Sequence, residues 1–399
     1  MTAWLHIVGI GEDGLGGLSM AARNAIKNAD YIVGAKRHHA LVDECNAERI
    51  NWPSPFDSLI AQLETLRGKN VVVLATGDPL WFSVGSTIAA AFDLSDVQFH
   101  PHVGAFQLAT AEMGWALQDV DCITVHGRPI TRVKPLLQNG RKLLLLTSNG
   151  AAVSEIANLL SEADFGDSII VALSHLGSDK QKRFEGIAKK WAHNVPDLNT
   201  LAIECVAQLN AQILPQTYGL PDDAFEHDGT MTKQDVRAIT LAKLMPMPNA
   251  LLWDVGCGCG SVAVEWMRSA RNARAIGIET REDRRAFAKT NAITLGGFDL
   301  PLIDQPLPKS LNGLEAPDAI FIGGGLSAET FERCFVALKP MGRLVCNAVT
   351  LGSEQVLLDK YAEHGGELIR LQFSRAVPVG NKTGWKPAMP VTQYSLVKK

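Results

Sequence analysis

The sequence is short of the features that mark whole classes of protein. Only seven cysteines are scattered through 399 residues. An odd count in a chain this long argues against a disulfide framework and for a reducing compartment. No apolar run approaches the roughly twenty residues that a membrane span needs. Charge is nearly balanced, with a formal net of −4, so neither nucleic acid nor an anionic membrane is attracted globally. A basic stripe interleaved with aromatics is also missing, which disfavours RNA. The opening residues MTAWLHIVGIG run straight into a strand pattern and lack a signal-peptide layout. These absences point to a cytoplasmic protein with no nucleic-acid or membrane partner. A local basic pocket for an acidic small molecule stays compatible with the charge balance.

The composition that remains is ordinary for a globular protein, 46% hydrophobic and 20% charged. The length suggests two domains or more. Short apolar runs alternate with helical patterns, which predicts α/β architecture. Strands are expected at 4–10, 71–75, 97–100, 120–125, 142–146, 168–173 and 201–205, and helices at 18–29, 105–113 and 152–160. Residues 206–222 carry two prolines and a glycine with little periodicity. They read as a linker between domains at 1–205 and 223–399.

The second half is organised around Leu251–Val262, LLWDVGCGCGSV. An apolar run ends in Asp254, Gly256, Gly258 and Gly260 follow on alternate positions, and a helical pattern opens at Ser261. A strand, a glycine turn and a helix start form a ligand site at a helix N-terminus. A second apolar run ends in Glu279, placed to hold a ribose diol. Taken without that partner acid, the loop could be no more than a tight turn. The D-x-G-x-G-x-G spacing differs from the dinucleotide fingerprint. The first half does contain G-x-G-x-x-G, at Gly9, Gly11 and Gly14, but no acid ends its next strand, where YIVG is followed by Lys36 and Arg37. A lone glycine fingerprint is weak, and an NAD site is not expected there.

Further along, Ala273–Glu279, Pro301–Asp304, Asp318–Ile322 and Arg343–Ala348 read as strands, and Arg284–Leu295 and Ala328–Leu338 as helices. Glu367–Ser374 and Val391–Lys398 suggest a closing antiparallel pair joined by a loop. Thr232, with Asp235 three residues on, has the spacing of a helix N-cap. Cys257 and Cys259 form a C-x-C, but no other cysteine pair has metal spacing, so no metal is expected. His38, His39, His100 and His102 read as loop polar groups.

Several of these stretches carry a family resemblance. DVGCGCGS with Glu279 resembles motif I of the class I S-adenosylmethionine (SAM) methyltransferases. VGIGEDG, GDPLWFSVG, the helix around 106–115 and HGRP at 126–129 resemble the tetrapyrrole (corrin/porphyrin) methylase family. PDDAFEHDG, MTK, FIGGG, NAVTL and PVTQY add a likeness to the cobalamin-pathway branch of class I methyltransferases. The set spans nearly the whole chain and resembles the fused precorrin C5,15-methyltransferases (decarboxylating).

That resemblance implies a two-subdomain tetrapyrrole methylase fold followed by a Rossmann-like class I fold. It implies SAM as methyl donor and a tetrapyrrole substrate, with C5 methylation in the first domain and C15 methylation and decarboxylation in the second. Homo-oligomers through the second domain are also implied. SAM contacts carry over to Gly77, Asp78, Pro79 and Gly85 in the first domain. In the second they carry over to Thr232, Asp254, Gly256, Cys257, Gly258, Cys259, Gly260, Glu279, Leu307 and Gly323. The family usually has alanine and serine or threonine where Cys257 and Cys259 stand. A carboxylate-rich substrate makes Lys36, Arg37, Arg128, Arg375, Lys382 and Lys386 candidate partners. No catalytic acid or base is indicated, since alignment and water exclusion can carry methyl transfer. Three alternatives remain open: a cobalt-bearing ring as substrate, an unrelated SAM methyltransferase with an accessory domain, and a non-catalytic SAM-binding scaffold. An amine acceptor is disfavoured, because FIGGG stands where amino-group methyltransferases carry N-P-P-Y/F.

Overall fold

The computed structural model describes residues 3–42 and 45–399. They group into two compact units, residues 1–128 with 138–212, and 129–137 with 213–399. The break at Gln212–Ile213 falls inside the proline-containing stretch. The grouping of Pro129–Leu137 with the second unit has no counterpart in the sequence pattern. No helix among the described residues is long and apolar enough to cross a membrane.

The first unit contains two five-stranded sheets. One is built from β1 (Leu5–Ile10), β2 (Tyr31–Gly34), β3 (Glu48–Asn51), β4 (Val71–Thr76) and β5 (Val97–His100), in the order β3-β2-β4-β1-β5. All its pairings are parallel. Parallel strands covered on both faces read as near-continuous apolar runs, as VVVLAT and LHIVGI do. Register sets Ile10 beside Thr76, so the turns after β1 and β4 lie side by side. The other sheet comprises β6 (Asp121–Thr124), β7 (Lys142–Leu146), β8 (Ile169–Ser174), β9 (Lys182–Ile187) and β10 (Asn199–Glu204), ordered β6-β7-β10-β8-β9.

The second unit carries a seven-stranded sheet of β11 (Leu251–Val255), β12 (Arg274–Ile278), β13 (Leu302–Ile303), β14 (Ala319–Ile322), β15 (Arg343–Ala348), β16 (Glu367–Leu371) and β19 (Val391–Val397). A separate hairpin joins β17 (Ser374–Val379) to β18 (Lys382–Pro387). The sheet order is β13-β12-β11-β14-β15-β19-β16, parallel as far as β15 and antiparallel beyond. Successive side chains of β11 point to opposite faces. Leu252 joins one core cluster, while Leu251, Trp253 and Val255 join the other. Strand order reverses on either side of β11, and at such a switch point the strand ends leave a crevice.

The structure departs from expectation in several places, and β3, β9 and the helix Leu59–Glu64 are among the elements with no counterpart in the sequence pattern. Thr232 is not an N-cap. The helix Gln234–Leu244 begins one residue later, and its cap residue Lys233 makes no side-chain cap bond. Asp222 serves instead, accepting from the Gln234 amide at 2.9 Å, so a carboxylate twelve residues back outcompetes the local hydroxyl. The span between β16 and β19 is not a plain loop but the β17–β18 hairpin, turned by Gly380 at φ 61° followed by Asn381. The helix Leu351–His364 had no reading in the sequence.

Candidate functional site

Two glycine loops follow the first strand of each unit, and their surroundings differ. In the first unit, a Cβ on Gly9 would overlap the Gly77 carbonyl, and one on Gly11 would lie 2.7 Å from His102 Nε2. The Gly77 amide donates to the Ile10 carbonyl at 3.0 Å, and His102 Nε2 is 3.3 Å from Asp13 Oδ1. The protein's own turn and imidazole therefore fill the space that a pyrophosphate would need. These glycines serve close packing.

In the second unit the loop opens onto a cavity of about 840 Å³. A Cβ at Gly256 would come within 2.6 Å of the Gly324 backbone, so only glycine lets the ends of β11 and β14 meet. A Cβ at Gly258 would meet nothing nearer than the Thr230 carbonyl at 3.9 Å, so this stretch of main chain is open to a ligand. Glu279 lies across from it. Its Oε2 accepts from the Gly258 amide at 3.1 Å and its Oε1 from the Arg281 amide at 3.0 Å. A carboxylate offers about four acceptor sites, so two remain for a ligand diol. Asp254 sits behind the loop. One oxygen accepts from the Ala263 amide at 3.0 Å, anchoring the helix Ser261–Ser269, and the other is buried without a partner. Burial, reinforced by Glu279, pushes this carboxyl up to about 7. Burial likewise raises both the Cys257 and Cys259 thiols, which keeps them unreactive.

Of the residues singled out from sequence, Thr232, Gly256, Cys257, Gly258, Glu279, Leu307 and Gly323 line this cavity. Asp254, Cys259 and Gly260 lie outside the lining, with Gly260 facing Ala288. Arg375 lines the cavity and pairs with Asp235. Lys382 closes the exposed hairpin turn, and Lys386 lies opposite Arg375 in register. The lining also holds residues that had not been singled out as site residues, among them Lys233, Arg284, Asn347, Phe373 and Met389. Asn347 belongs to the NAVTL stretch and is the penultimate residue of a parallel strand, and that placement was the available signal.

The segment 219–233, whose last four residues line the cavity, is held from below. Arg237 and Glu265 are fully buried and paired at 2.6 Å. Glu265 accepts from the Gly219 and Leu220 amides, and Arg237 donates to the Thr232 carbonyl at 2.6 Å. A buried pair with its remaining hydrogen bonds satisfied costs little to keep and much to break.

In the first unit, Asp78 lines a smaller cavity of about 290 Å³, while Gly77, Pro79 and Gly85 do not. Asp78 Oδ1 accepts from the Leu80 amide at 2.8 Å, closing an Asx turn. Trp81, Phe82 and Phe106 form an aromatic wall, with centroids 5.4 and 6.0 Å apart. His38 is buried at the rim, where burial and then the neighbouring Arg37 pull it down to about 4. Arg37 pairs with Glu12 and donates to Thr76 Oγ1 at 2.8 Å. Arg128 is exposed in the turn after β6, and Lys36 is exposed at the start of a short helix. His100 Nε2 and His6 Nδ1 are hydrogen-bonded at 3.1 Å.

Comparison with known proteins shows matches along nearly all of the chain. Residues 4–191 match the family described as tetrapyrrole (corrin/porphyrin) methylases, and residues 223–398 match the precorrin methyltransferase domain. A Sinorhizobium sp protein named precorrin-6Y C(5,15)-methyltransferase (decarboxylating) is 43% identical over 401 residues, spanning 100% of this chain and 97% of its own. A Salmonella typhimurium protein named cobalt-precorrin-7 C(5)-methyltransferase is 30% identical over 45% of the chain and 88% of its own length. A Pyrobaculum calidifontis protein named "Probable cobalt-precorrin-6B C(15)-methyltransferase (decarboxylating)" is 34% identical over 45% of the chain and 97% of its own length.

Proposed function

Since the chain belongs to the precorrin-6Y C(5,15)-methyltransferase (decarboxylating) family, we propose that it methylates C5 and C15 of a reduced tetrapyrrole in cobalamin biosynthesis and removes the carboxyl of the ring C acetate as CO2, leaving a methyl group. The donor is SAM, the first unit acts at C5, and the second acts at C15 and on the acetate. The metal-free ring is the substrate, following the full-length relative. The observation that carries this reading is the open main chain at Gly258 facing the Glu279 carboxylate, inside a chain that matches its relative end to end.

When bound, SAM supplies a methyl group already activated on a sulfonium. The protein's task is then orientation and exclusion of water. Glu279 is held by two backbone amides, so its free lone pairs point at fixed positions for the ribose hydroxyls. Gly258 lets the ligand's amino-acid part lie against the main chain. Leu307, Gly323 and Phe373 supply apolar walls. Arg375 receives substrate carboxylates at the cavity mouth. In the first unit, Asp78 shapes the turn that lines the smaller cavity, and Trp81 and Phe82, both exposed, offer flat faces to a conjugated ring. Lys382, Arg37 and Arg128 are secondary carboxylate contacts. The enzyme works in the cytoplasm, as its seven free cysteines suit, and as a homo-oligomer, which light scattering would test.

Mass spectrometry of the full chain with SAM and precorrin-6Y is the direct test. The expected product has two added methyl groups and one CO2 fewer. Turnover of only the cobalt-bearing ring would change the substrate and keep the chemistry. SAM binding without change to either ring would leave a scaffold or another methyltransferase.

A further inference from the structure

Asn347 is the penultimate residue of β15 and lines the large cavity. Its amide is oriented by a buried network. The Thr240 hydroxyl donates to the Val236 carbonyl at 2.8 Å, so towards everything else it is an acceptor. Asn347 Nδ2 donates to that oxygen at 3.0 Å and Gln393 Nε2 at 3.1 Å. Gln393 Nε2 also donates to Asn347 Oδ1 at 2.9 Å, across the β15–β19 register pair. Thr240 and Gln393 are both buried. Because Thr240 has spent its only proton, Asn347 cannot flip without setting its carbonyl against an acceptor. One N–H of Asn347 is thus fixed on Thr240, and the other has no partner in this network.

The charged groups of the cavity are differently placed. Arg375 is paired with Asp235, Arg284 with Asp228, and Arg281 with Asp283, and Lys233 donates to the Gly229 carbonyl at 3.3 Å and stands 4.0 Å from Asp222. A cation beside a carboxylate stabilises its charge and so opposes its loss as CO2. A neutral amide N–H can orient the same group with less stabilisation of the charge.

We propose that Asn347 orients the substrate carboxylate that is expelled, with Thr240 and Gln393 as the positioning residues that aim its free N–H. The assignment rests on the decarboxylating reading above. In the step, the bond between the acetate methylene and the carboxyl carbon breaks. CO2 leaves, the electron pair enters the conjugated macrocycle, and a proton taken up from water leaves a methyl group on the ring. Holding the carboxylate with that bond upright to the ring plane lets the electron pair overlap the π-system.

The test uses the full chain with SAM and precorrin-6Y, reading methyl gain and CO2 loss separately by mass. N347L is expected to accumulate doubly methylated product that keeps its acetate, with decarboxylation slowed about 100-fold as for a misplaced reacting group. N347D keeps the size but presents a like charge, and is expected to do the same. Q393L is expected to lower the decarboxylation rate constant with KM little changed. Retained SAM binding at both units, by calorimetry, certifies that each variant is folded. Decarboxylation unchanged in N347L and N347D, or methylation and decarboxylation falling together in folded variants, would overturn the assignment to Asn347 alone. If the wild-type chain leaves the substrate unaltered, the parent reading falls and this one with it.

Discussion

Gly9–Gly14 and Gly256–Gly260 are both glycine loops after the first strand of an α/β unit, and the difference between them lies in what faces them. Opposite the first stand the Gly77 carbonyl and His102, packed as closely as glycine allows. Opposite the second stand the Glu279 carboxylate and a large cavity. The same residue type meets two needs: at Gly9, as at Gly256, backbone packs against backbone, while at Gly258 the main chain is left open. Spacing does not distinguish them. The acid at the end of the neighbouring strand does: Glu279 faces the open main chain at Gly258, and no acid ends the strand that follows the first loop.

The sharpest way to break this comparison is Gly9→Ala. Its Cβ would overlap main chain, which cannot move aside like a side chain, so a loss of at least about 3 kcal/mol is expected. Thermal unfolding reads it, and a wild-type melting curve would show that the first loop has room after all. Glu279→Ala attacks the second loop. Losing a charged acceptor costs about 2–3 kcal/mol, or about 30- to 150-fold in affinity. Calorimetry of the full chain should then find one strong SAM site in place of two, with a lowered melting temperature because the Gly258 and Arg281 amides lose their acceptor.

Asp254→Asn tests the ground beneath that loop through pH. The wild-type carboxyl stays protonated in the fold up to about pH 7, whereas the unfolded chain ionises near pH 3.8. Between those values the folded state binds the extra proton, so stability from this group falls as pH rises. The full penalty is about 4 kcal/mol, and a buried unpaired amide N–H gives back about 1–3 kcal/mol. The variant should therefore lie about 2 kcal/mol below wild type near pH 4 and about 2 kcal/mol above it near pH 7, a relative gain of about 4 kcal/mol across the window, in denaturant titrations. A constant difference across that window would refute the buried-acid account. Asp78→Ala has the smallest expected effect. Loosening its turn should slow C5 methylation about tenfold and spare decarboxylation, while equal loss of both would dissolve the division of labour between the units.

Much of the fold was legible in the sequence. Val97–His100, Ala105–Met113, Lys142–Leu146 and Arg343–Ala348 occur with the bounds read from pattern alone. Each is a short apolar or amphipathic run bracketed by glycine, proline or polar residues. The α/β class and the motif I loop follow from the same local signals. Thr232 was misread because a cap is won by whichever oxygen reaches the helix first, and Asp222 is brought there by the Arg237–Glu265 pair beneath. The β17–β18 hairpin was misread because its prolines and glycines suit an exposed ribbon as well as a loop.

The sequence by itself determined the two-part α/β organisation, the glycine loop with its partner acid, and the family resemblance. Those rest on residues near one another in the chain, where backbone sterics and hydrophobic period act directly. Only the tertiary structure decided that the first glycine loop is filled, that Asp254 lies behind the loop, and that Asn347 lines the cavity. Each depends on groups that meet only when strands far apart in sequence lie side by side: Gly9 on Gly77, Asp254 near Glu279, Asn347 on Gln393 and Thr240.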